Sequence, residues 1–325
     1  MRKSVISTVL ASSLVLASCG AAGSGDSGQD DPITVDNCGD TVSLDGPPQN
    51  VTLLKSAPVT TLSNLGVLDR VTNRAGEYPD EYFDDATDEQ IDRIPSITDK
   101  TDASGHLQIS REEVVATGAD LVLGETDTIN RQTLASSDIP LIEEPALCGD
   151  IDGPVTWDDV WDEVEAYGTV FGREDKATSY IGELQRRLAA IEGEHDADIA
   201  VLYPTVGGGV TYAYGNGSMA TPLVEQAGAT NVYGDQDDRV FEVTAEDIVD
   251  RNPDVVIALY SGGDSGNEQQ ITDAVNALPG IDTTTAGREH NVLPMLLNYA
   301  DPPTPLAVDG LEKLNDYLDG LETRQ

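Results

Sequence analysis

The chain has 325 residues, 39% of them apolar, which is enough for one large or two medium domains with a filled core. Its 59 Asp and Glu against 18 Lys and Arg give a formal net charge of −41, so phosphate backbones and anionic membrane surfaces are repelled and nucleic acid is excluded as a partner. An anionic ligand would have to be met by a local pocket rich in bases or hydrogen-bond donors.

At the start of the chain stand Arg2 and Lys3, an apolar run over 5–16, and then Leu16-Ala17-Ser18-Cys19-Gly20. That run is too short to span a bilayer. The arrangement resembles a bacterial lipoprotein signal, in which residues 1–18 are removed and Cys19 becomes the lipidated first residue; an ordinary signal peptide is the alternative. Several acyl chains on one cysteine hold a protein at a membrane where a single chain binds only marginally. Residues 19–31, rich in Gly, Ser and Asp, then read as a flexible tether. Export places Cys38 and Cys148 in an oxidising compartment, where they read as a disulfide closing a loop of about 110 residues, worth about 3–5 kcal/mol by the chain-entropy argument. Two free buried thiols are the alternative, since sequence says nothing of their separation.

Beyond the tether, short β-rich runs alternate with helical patterns, which predicts α/β units with parallel sheets. Strands are expected over 51–55, 70–74, 121–124 and 140–143, and a second set over 199–203, 210–214, 231–233, 255–260 and 291–295. Helices are expected over 221–227, 244–251 and 305–318. Between the sets, Val160, Val164, Tyr167 and Phe171 share one helical face and Tyr180, Leu184, Leu188 and Ile191 another. This predicts a helix, a break at Gly172 and a long helix running to 192. The fold class is therefore α/β, with two Rossmann-like lobes of mostly parallel sheet over 32–156 and 195–325. Linking helices over 157–194 join the lobes, and the ligand cleft lies between them.

Residues 109–123 align with 243–257 without a gap. Each copy has a hydroxyl N-cap, Ser110 or Thr244, and an acid three residues on, Glu113 or Asp247, as in a capping box. A short helix, an Asp and an apolar strand follow. Two chance uses of a common local pattern are the alternative.

The lipoprotein-like start, the two α/β lobes and the linking helices occur in a definite order. So do the phrases Ser110-Arg-Glu-Glu-Val-Val, Leu223-Val-Glu-Gln-Ala-Gly-Ala-Thr-Asn-Val232 and Thr244-Ala-Glu-Asp-Ile-Val-Asp-Arg-Asn-Pro-Asp-Val-Val-Ile257. Over residues 45–320 the chain resembles substrate-binding proteins of ABC importers, in the class III, helical-backbone branch that carries iron siderophores, haem and cobalamin. It departs where Gly118-Ala119-Asp120 replaces the usual Lys-Pro-Asp. The resemblance implies a monomeric, non-enzymatic receptor, lipid-anchored outside the cytoplasm, with an ABC permease and ATPase complex as partner. It implies no cofactor; the cargo is a ferric siderophore first, then haem or a corrinoid. One surface Glu on each lobe of such proteins meets Arg residues of the permease, and Glu112 and Glu246 occupy those positions. The plain alternative is that an acid in a first helical turn gains about 0.3–1 kcal/mol from the helix dipole.

In open α/β sheets the ligand lies beyond the carboxyl ends of the strands. Residues just after predicted strands are therefore the binding candidates: Lys55, Ser56, Arg74, Glu77, Tyr78, Glu125 and Thr126 in the first lobe, and Tyr203, Tyr212, Tyr214, Tyr260 and Tyr299 in the second, with Arg239 in an acidic loop. Tyrosine offers a flat face and a hydroxyl, and arginine donates paired bonds to carboxylate or catecholate oxygens. About half of the tyrosines are expected to reach ligand, the rest packing in sheets where aromatics are enriched. Both tryptophans, Trp157 and Trp161, fall in the linking helices, so the cleft is expected to rely on Tyr.

His106 precedes the first repeat and reads as a haem-iron ligand or as a loop histidine bonded to backbone. Three dispersed histidines argue against a zinc or manganese receptor. Gly215-Asn-Gly-Ser-Met-Ala220 has the form of a dinucleotide turn but lacks a complete βαβ unit. Gly263-Asp-Ser-Gly266 has the form of a serine-protease nucleophile turn but lacks a visible triad. The acidic run over 82–89 lacks the spacing of a calcium loop and reads as a solvated loop. The alternative of another class is an exported hydrolase, which needs a nucleophile, a base and an oxyanion hole in one place.

Overall fold

Short apolar runs bounded by Gly, Pro and Asp become strands buried on both faces, as parallel sheets require. The computed structural model describes residues 32–101, 106–151, 153–191, 193–263 and 266–323. The signal sequence, Cys19 and the tether expected over 1–31 lie outside the described residues.

An antiparallel hairpin of β1 (Ile33–Asn37) and β2 (Asp40–Leu44), which periodicity did not predict, opens the described chain. The first sheet follows, with β3 (Val51–Leu53), β4 (Val71–Arg74), β5 (Leu121–Leu123) and β6 (Leu141–Ile142) in the order β4-β3-β5-β6, all parallel. Its helices are α1 (Val59–Leu65), α2 (Asp85–Arg93), α3 (Arg111–Ala116), α4 (Arg131–Leu134) and α5 (Pro145–Cys148). Alternation along β5 sends Leu121 and Leu123 into one apolar cluster and Val122 into another, so both faces of the sheet are covered. A disulfide joins Cys38, in the hairpin turn, to Cys148 at the end of α5, with Cα atoms 5.8 Å apart.

The acidic run over 82–89 is not a solvated loop. Asp84 caps α2 by accepting from the Thr87 N–H, the acids that follow fill its first turn, and Tyr82 is buried. Acids at a helix N-terminus are favoured by the exposed N–H groups, and composition alone hid that.

Two helices link the sheets, α6 (Trp157–Phe171) and α7 (Glu174–Leu188). The Thr156 and Asp159 side chains form a reciprocal cap on α6, and Gly172 ends it in the left-handed region at φ 61°. At Gly168 an added Cβ would stand 2.6 Å from Ala177 Cβ, so the glycine sets how closely the two helices approach. α7 stops at Leu188 rather than 192.

The second half comprises β7 (Asp198–Pro204), β8 (Thr211–Tyr214), α8 (Ala220–Gln226), β9 (Thr230–Asn231), β10 (Val240–Val243), α9 (Ala245–Arg251), β11 (Val255–Tyr260), α10 (Glu268–Asn276), α11 (Thr285–Glu289), β12 (Val292–Leu296) and α12 (Leu306–Glu322). The sheet order is β10-β8-β7-β11-β12, with β9 beside β7. β7, β9, β11 and β12 run parallel, β8 pairs antiparallel with β7, and β10 pairs antiparallel with β8. β10 is an edge strand of half-exposed residues, which is why its short run carried no core signal. α7 packs on α1 and α12, and Met219, Ala307 and Val308 from the second half join the apolar cluster of the first, so the linkage is packed from both sides.

The repeat is a repeat in space. Asp120 accepts from the Gln49 and Asn50 N–H groups ahead of β3, and Asp254 accepts from the Asp198 N–H at the start of β7. The equivalent positions Gly118 (φ +66°) and Asn252 (φ 45°) both leave their helix in the left-handed conformation that Gly and Asn tolerate. The caps differ. Ser110 and Glu113 make the reciprocal box, whereas Thr244 only accepts from the Asp247 N–H, because the Asp247 carboxylate turns to Arg251 at 3.5 Å.

Candidate ligand-binding cleft

A cleft of about 530 Å³ lies where residues leave the carboxyl ends of β3, β4, β5, β6, β11 and β12. On the first-sheet side Lys55 Nζ donates to Glu143 Oε2 at 2.6 Å, and the Glu125 N–H donates to the same oxygen at 2.6 Å. Glu143, 2% exposed, also accepts from the Glu144 N–H at 2.7 Å. One carboxylate thereby gathers the loops after β3, β5 and β6. Gly124 makes room for this, since a Cβ there would stand 3.0 Å from Lys55 Cγ.

On the second-sheet side, the turn after β8 carries the Gly215-Asn-Gly motif. Cβ atoms on Gly215 and Gly217 would fall 2.5 Å from Asp238 O and 2.8 Å from Asp237 O. The glycines thus let the 236–239 segment lie on the turn, held by the Asn216 N–H donating to Gln236 O at 2.7 Å, and no dinucleotide is needed to explain them. Arg239 reaches the cleft from this segment and pairs with Asp301, which is 1% exposed. Burial pushes the Asp301 carboxyl up, and the Arg239 guanidinium opposes that shift. Tyr214 lines the cleft beside this pair, its hydroxyl pushed upward by burial and then by the Asp301 charge.

The two sides touch through residues of the cleft lining. Tyr82 Oη accepts from the Asn298 N–H at 2.9 Å, its ring meets Tyr299 edge-on at 5.0 Å, and Asn298 Nδ2 donates to Ser56 Oγ at 3.0 Å. The Tyr299 hydroxyl donates to Glu81 O.

Of the residues singled out by sequence, Lys55, Ser56, Glu77, Glu125, Thr126, Tyr214 and Arg239 line this cleft. His106 joins them, 3.9 Å from Asp127 and largely exposed. Arg74 and Tyr78 lie outside the lining. The Arg74 guanidinium sits 5.0 Å above the Tyr78 ring, and the Tyr78 hydroxyl donates to Leu53 O and Ala75 O. Tyr203 meets Ser261 Oγ at 3.1 Å, Tyr260 and Tyr299 are buried in the second core, and Tyr212 is 37% exposed on β8. One of the five second-lobe tyrosines therefore lines the cleft: Tyr203 and Tyr260 stand in strands, Tyr299 packs in the core beyond β12, and Tyr212 is exposed. Glu143, Asn298 and Asp301 were missed, although the rule that selected Lys55 also points to residues after β6 and β12. Tyr82 had no sequence signal, standing between a strand end and a helix cap.

Behind Glu143 lies a second cavity of about 470 Å³. There Tyr167 Oη donates to Glu144 Oε1 at 3.1 Å, and the Thr61 hydroxyl lies 3.1 and 3.0 Å from the two oxygens of Glu163. Burial, then the Glu143 charge, pushes the Glu144 carboxyl up to about 7; burial and Glu144 push Glu163 well above its ordinary range. Glu112 and Glu246 are exposed at the second position of α3 and α9. Among the described residues no helix is long and apolar enough to cross a membrane.

A family profile described as "Periplasmic binding protein" matches residues 51–295. A structure from Saccharomonospora viridis, titled as an ABC-type Fe3+-hydroxamate transport system, is 47% identical, with 88% of this chain and 98% of that one covered and a TM-score of 0.84. A periplasmic binding protein from Veillonella parvula is 18% identical over 89% and 98% of the chains, TM-score 0.72. A periplasmic haem-binding protein from Roseiflexus is 17% identical over 83% and 97%, TM-score 0.64; these two show the fold alone. No curated protein matches. With two α/β sheets joined by packed helices around a cleft, and a profile spanning most of both, the chain belongs to the periplasmic binding protein family, in its helical-backbone class III.

Proposed function

We propose that the protein captures a ferric hydroxamate chelate outside the cytoplasmic membrane and hands it to an ABC permease and its ATPase. The observation that carries this reading is a cleft whose donors, Lys55, Arg239, Tyr214, Ser56 and Asn298, come from both sheets while its two cations are already paired with buried carboxylates. In a trihydroxamate chelate the oxygens of the ligand saturate the iron, so the protein needs donors around the chelate rather than metal ligands. Lysine and arginine keep spare N–H groups when one is taken by a carboxylate. The 47% identical structure named for Fe3+-hydroxamate transport supports the same cargo.

In this reading Cys19 carries the lipid anchor, the lobes are 32–156 and 195–325 with linking helices over 157–194, and Glu112 and Glu246 face the permease. The receptor acts as a monomer, and closure is a small hinge motion because the linking helices are packed against both halves. A second reading, haem, is favoured by His106 in the cleft lining. The hydrolase alternative draws no support from the cleft, where Ser56 meets Asn298 rather than a histidine. Absorbance and fluorescence-quenching titrations against ferric hydroxamate, catecholate and citrate chelates, haem and cobalamin test the proposal. Saturable binding of the hydroxamate is expected. Failure to bind it, or a Soret shift lost in His106→Ala, would replace it with another cargo.

A further inference from the structure

The charges in the cleft say more than the presence of donors. Lys55 is neutralised by Glu143 at 2.6 Å and Arg239 by Asp301. Each cation keeps N–H groups to donate, yet neither adds positive charge to the cleft as a whole. Among the described residues three more acids line it, Glu77, Glu125 and Asp127, and one histidine, His106. The surroundings carry a formal net charge of −41 for the whole chain. A concave site lined by one sign of charge focuses its potential. The Glu125 carboxylate makes no hydrogen bond or ion pair among the described residues, while its own N–H is fixed on Glu143 at 2.6 Å. Glu125 is therefore a half-buried residue anchored in the cleft lining by its backbone, with its carboxylate oxygens available.

From this we infer that the cleft selects a chelate carrying a positive charge, and that Glu125 is the residue that receives it. The inference rests on the ferric-hydroxamate reading and specifies it. Three singly charged hydroxamates cancel the charge of ferric iron, so the net charge of such a chelate is set by its end groups. A free primary amine leaves one positive charge, which meets Glu125 in a charge-assisted hydrogen bond. Ferric tris-catecholates and haem, with its propionates, carry negative charge into a cleft whose cations are already paired.

The test uses one linear ferric trihydroxamate in three forms, with its terminal amine free, N-acetylated or N-succinylated, so that only charge and end group change. Binding is measured by fluorescence quenching of the intact protein at an ionic strength of about 0.15 M, where distant charges are screened. The amine form is expected to bind about tenfold more tightly than the acetylated form, with the succinylated form weaker still. Glu125→Gln is expected to bring the ratio of amine to acetylated affinity from about ten to about one, and its far-UV circular dichroism and thermal unfolding, matching the wild type, show that the variant is folded. Equal affinities for the three forms, or an amine preference that survives in Glu125→Gln, would overturn the inference while leaving the hydroxamate reading intact. Absence of binding by all three would overturn that reading, and the charge preference with it.

Discussion

Lys55 Nζ and Glu143 Oε2 are 2.6 Å apart although β5 separates their strands in the sheet. The lysine stem crosses the end of β5 over Gly124, and Glu143 accepts in addition from the Glu125 and Glu144 N–H groups. Glu143→Ala removes the acceptor of three donors and is expected to destabilise the protein by about 2–3 kcal/mol. Lys55→Met should cost less, since Lys55 is 30% exposed and Glu143 keeps two backbone donors. Urea denaturation of both variants measures the difference; equal losses would show that the ion pair, and not the gathered loops, carries the effect.

Glu144 holds its proton up to about 7 in the folded protein, against an ordinary value of 4.5. Between those values the folded state keeps a proton that the unfolded chain has released, so stability contributed by this group falls as pH rises through the interval. Glu144→Gln keeps a neutral side chain for Tyr167 to meet. It is expected to match the wild type near pH 4.5 and to exceed it by about 1–3 kcal/mol near pH 8. Denaturation midpoints across this range that move in parallel for both proteins would rule out the assignment.

Two helical glycines should respond in opposite ways to the same change. Gly168→Ala places a Cβ 2.6 Å from Ala177 Cβ and must push α6 from α7, for an expected loss of about 1–3 kcal/mol. Gly182 in α7 meets nothing within 4 Å, so Gly182→Ala should gain about 0.5–1 kcal/mol from backbone entropy. Thermal unfolding of the pair decides it, and a destabilised Gly182→Ala would count against the packing described for α7.

The proposed delivery step is separable from capture. Glu112→Arg with Glu246→Arg lies on two exposed helix starts outside the cleft lining, so ligand affinity should stay unchanged while uptake through the permease is lost. Uptake at the wild-type level in cells carrying the double variant would remove both residues from the docking surface.

Much of the fold was legible because its signals are local. Apolar runs such as 255–260 have one stable fate, and the box of Ser110 with Glu113 announces a helix start within four residues. The β1–β2 hairpin and β10 were not legible, since half-exposed strands are stabilised by their neighbours and carry no strong pattern of their own. The α2 start was misread for a related reason: Asp84 and Asp85 look like a solvated run until Thr87 offers its N–H to Asp84.

The candidate cleft divides in the same way. Position after a strand is a property of the sequence once the strands are known, and it brought Lys55, Ser56, Glu125 and Tyr214 to the lining. It could not tell Tyr214, which lines the cleft, from Tyr260, which does not, because both are buried residues at the carboxyl ends of their strands. The sequence by itself determined the α/β class, the two capped helix–strand repeats and the excess of negative charge. Only the tertiary structure decided that Lys55 meets Glu143 and Arg239 meets Asp301 across 88 and 62 residues of chain, leaving Glu125 without such a partner. Pairing of charges depends on distance in space, and distances of that kind are set by the packing of whole lobes rather than by any stretch of the chain.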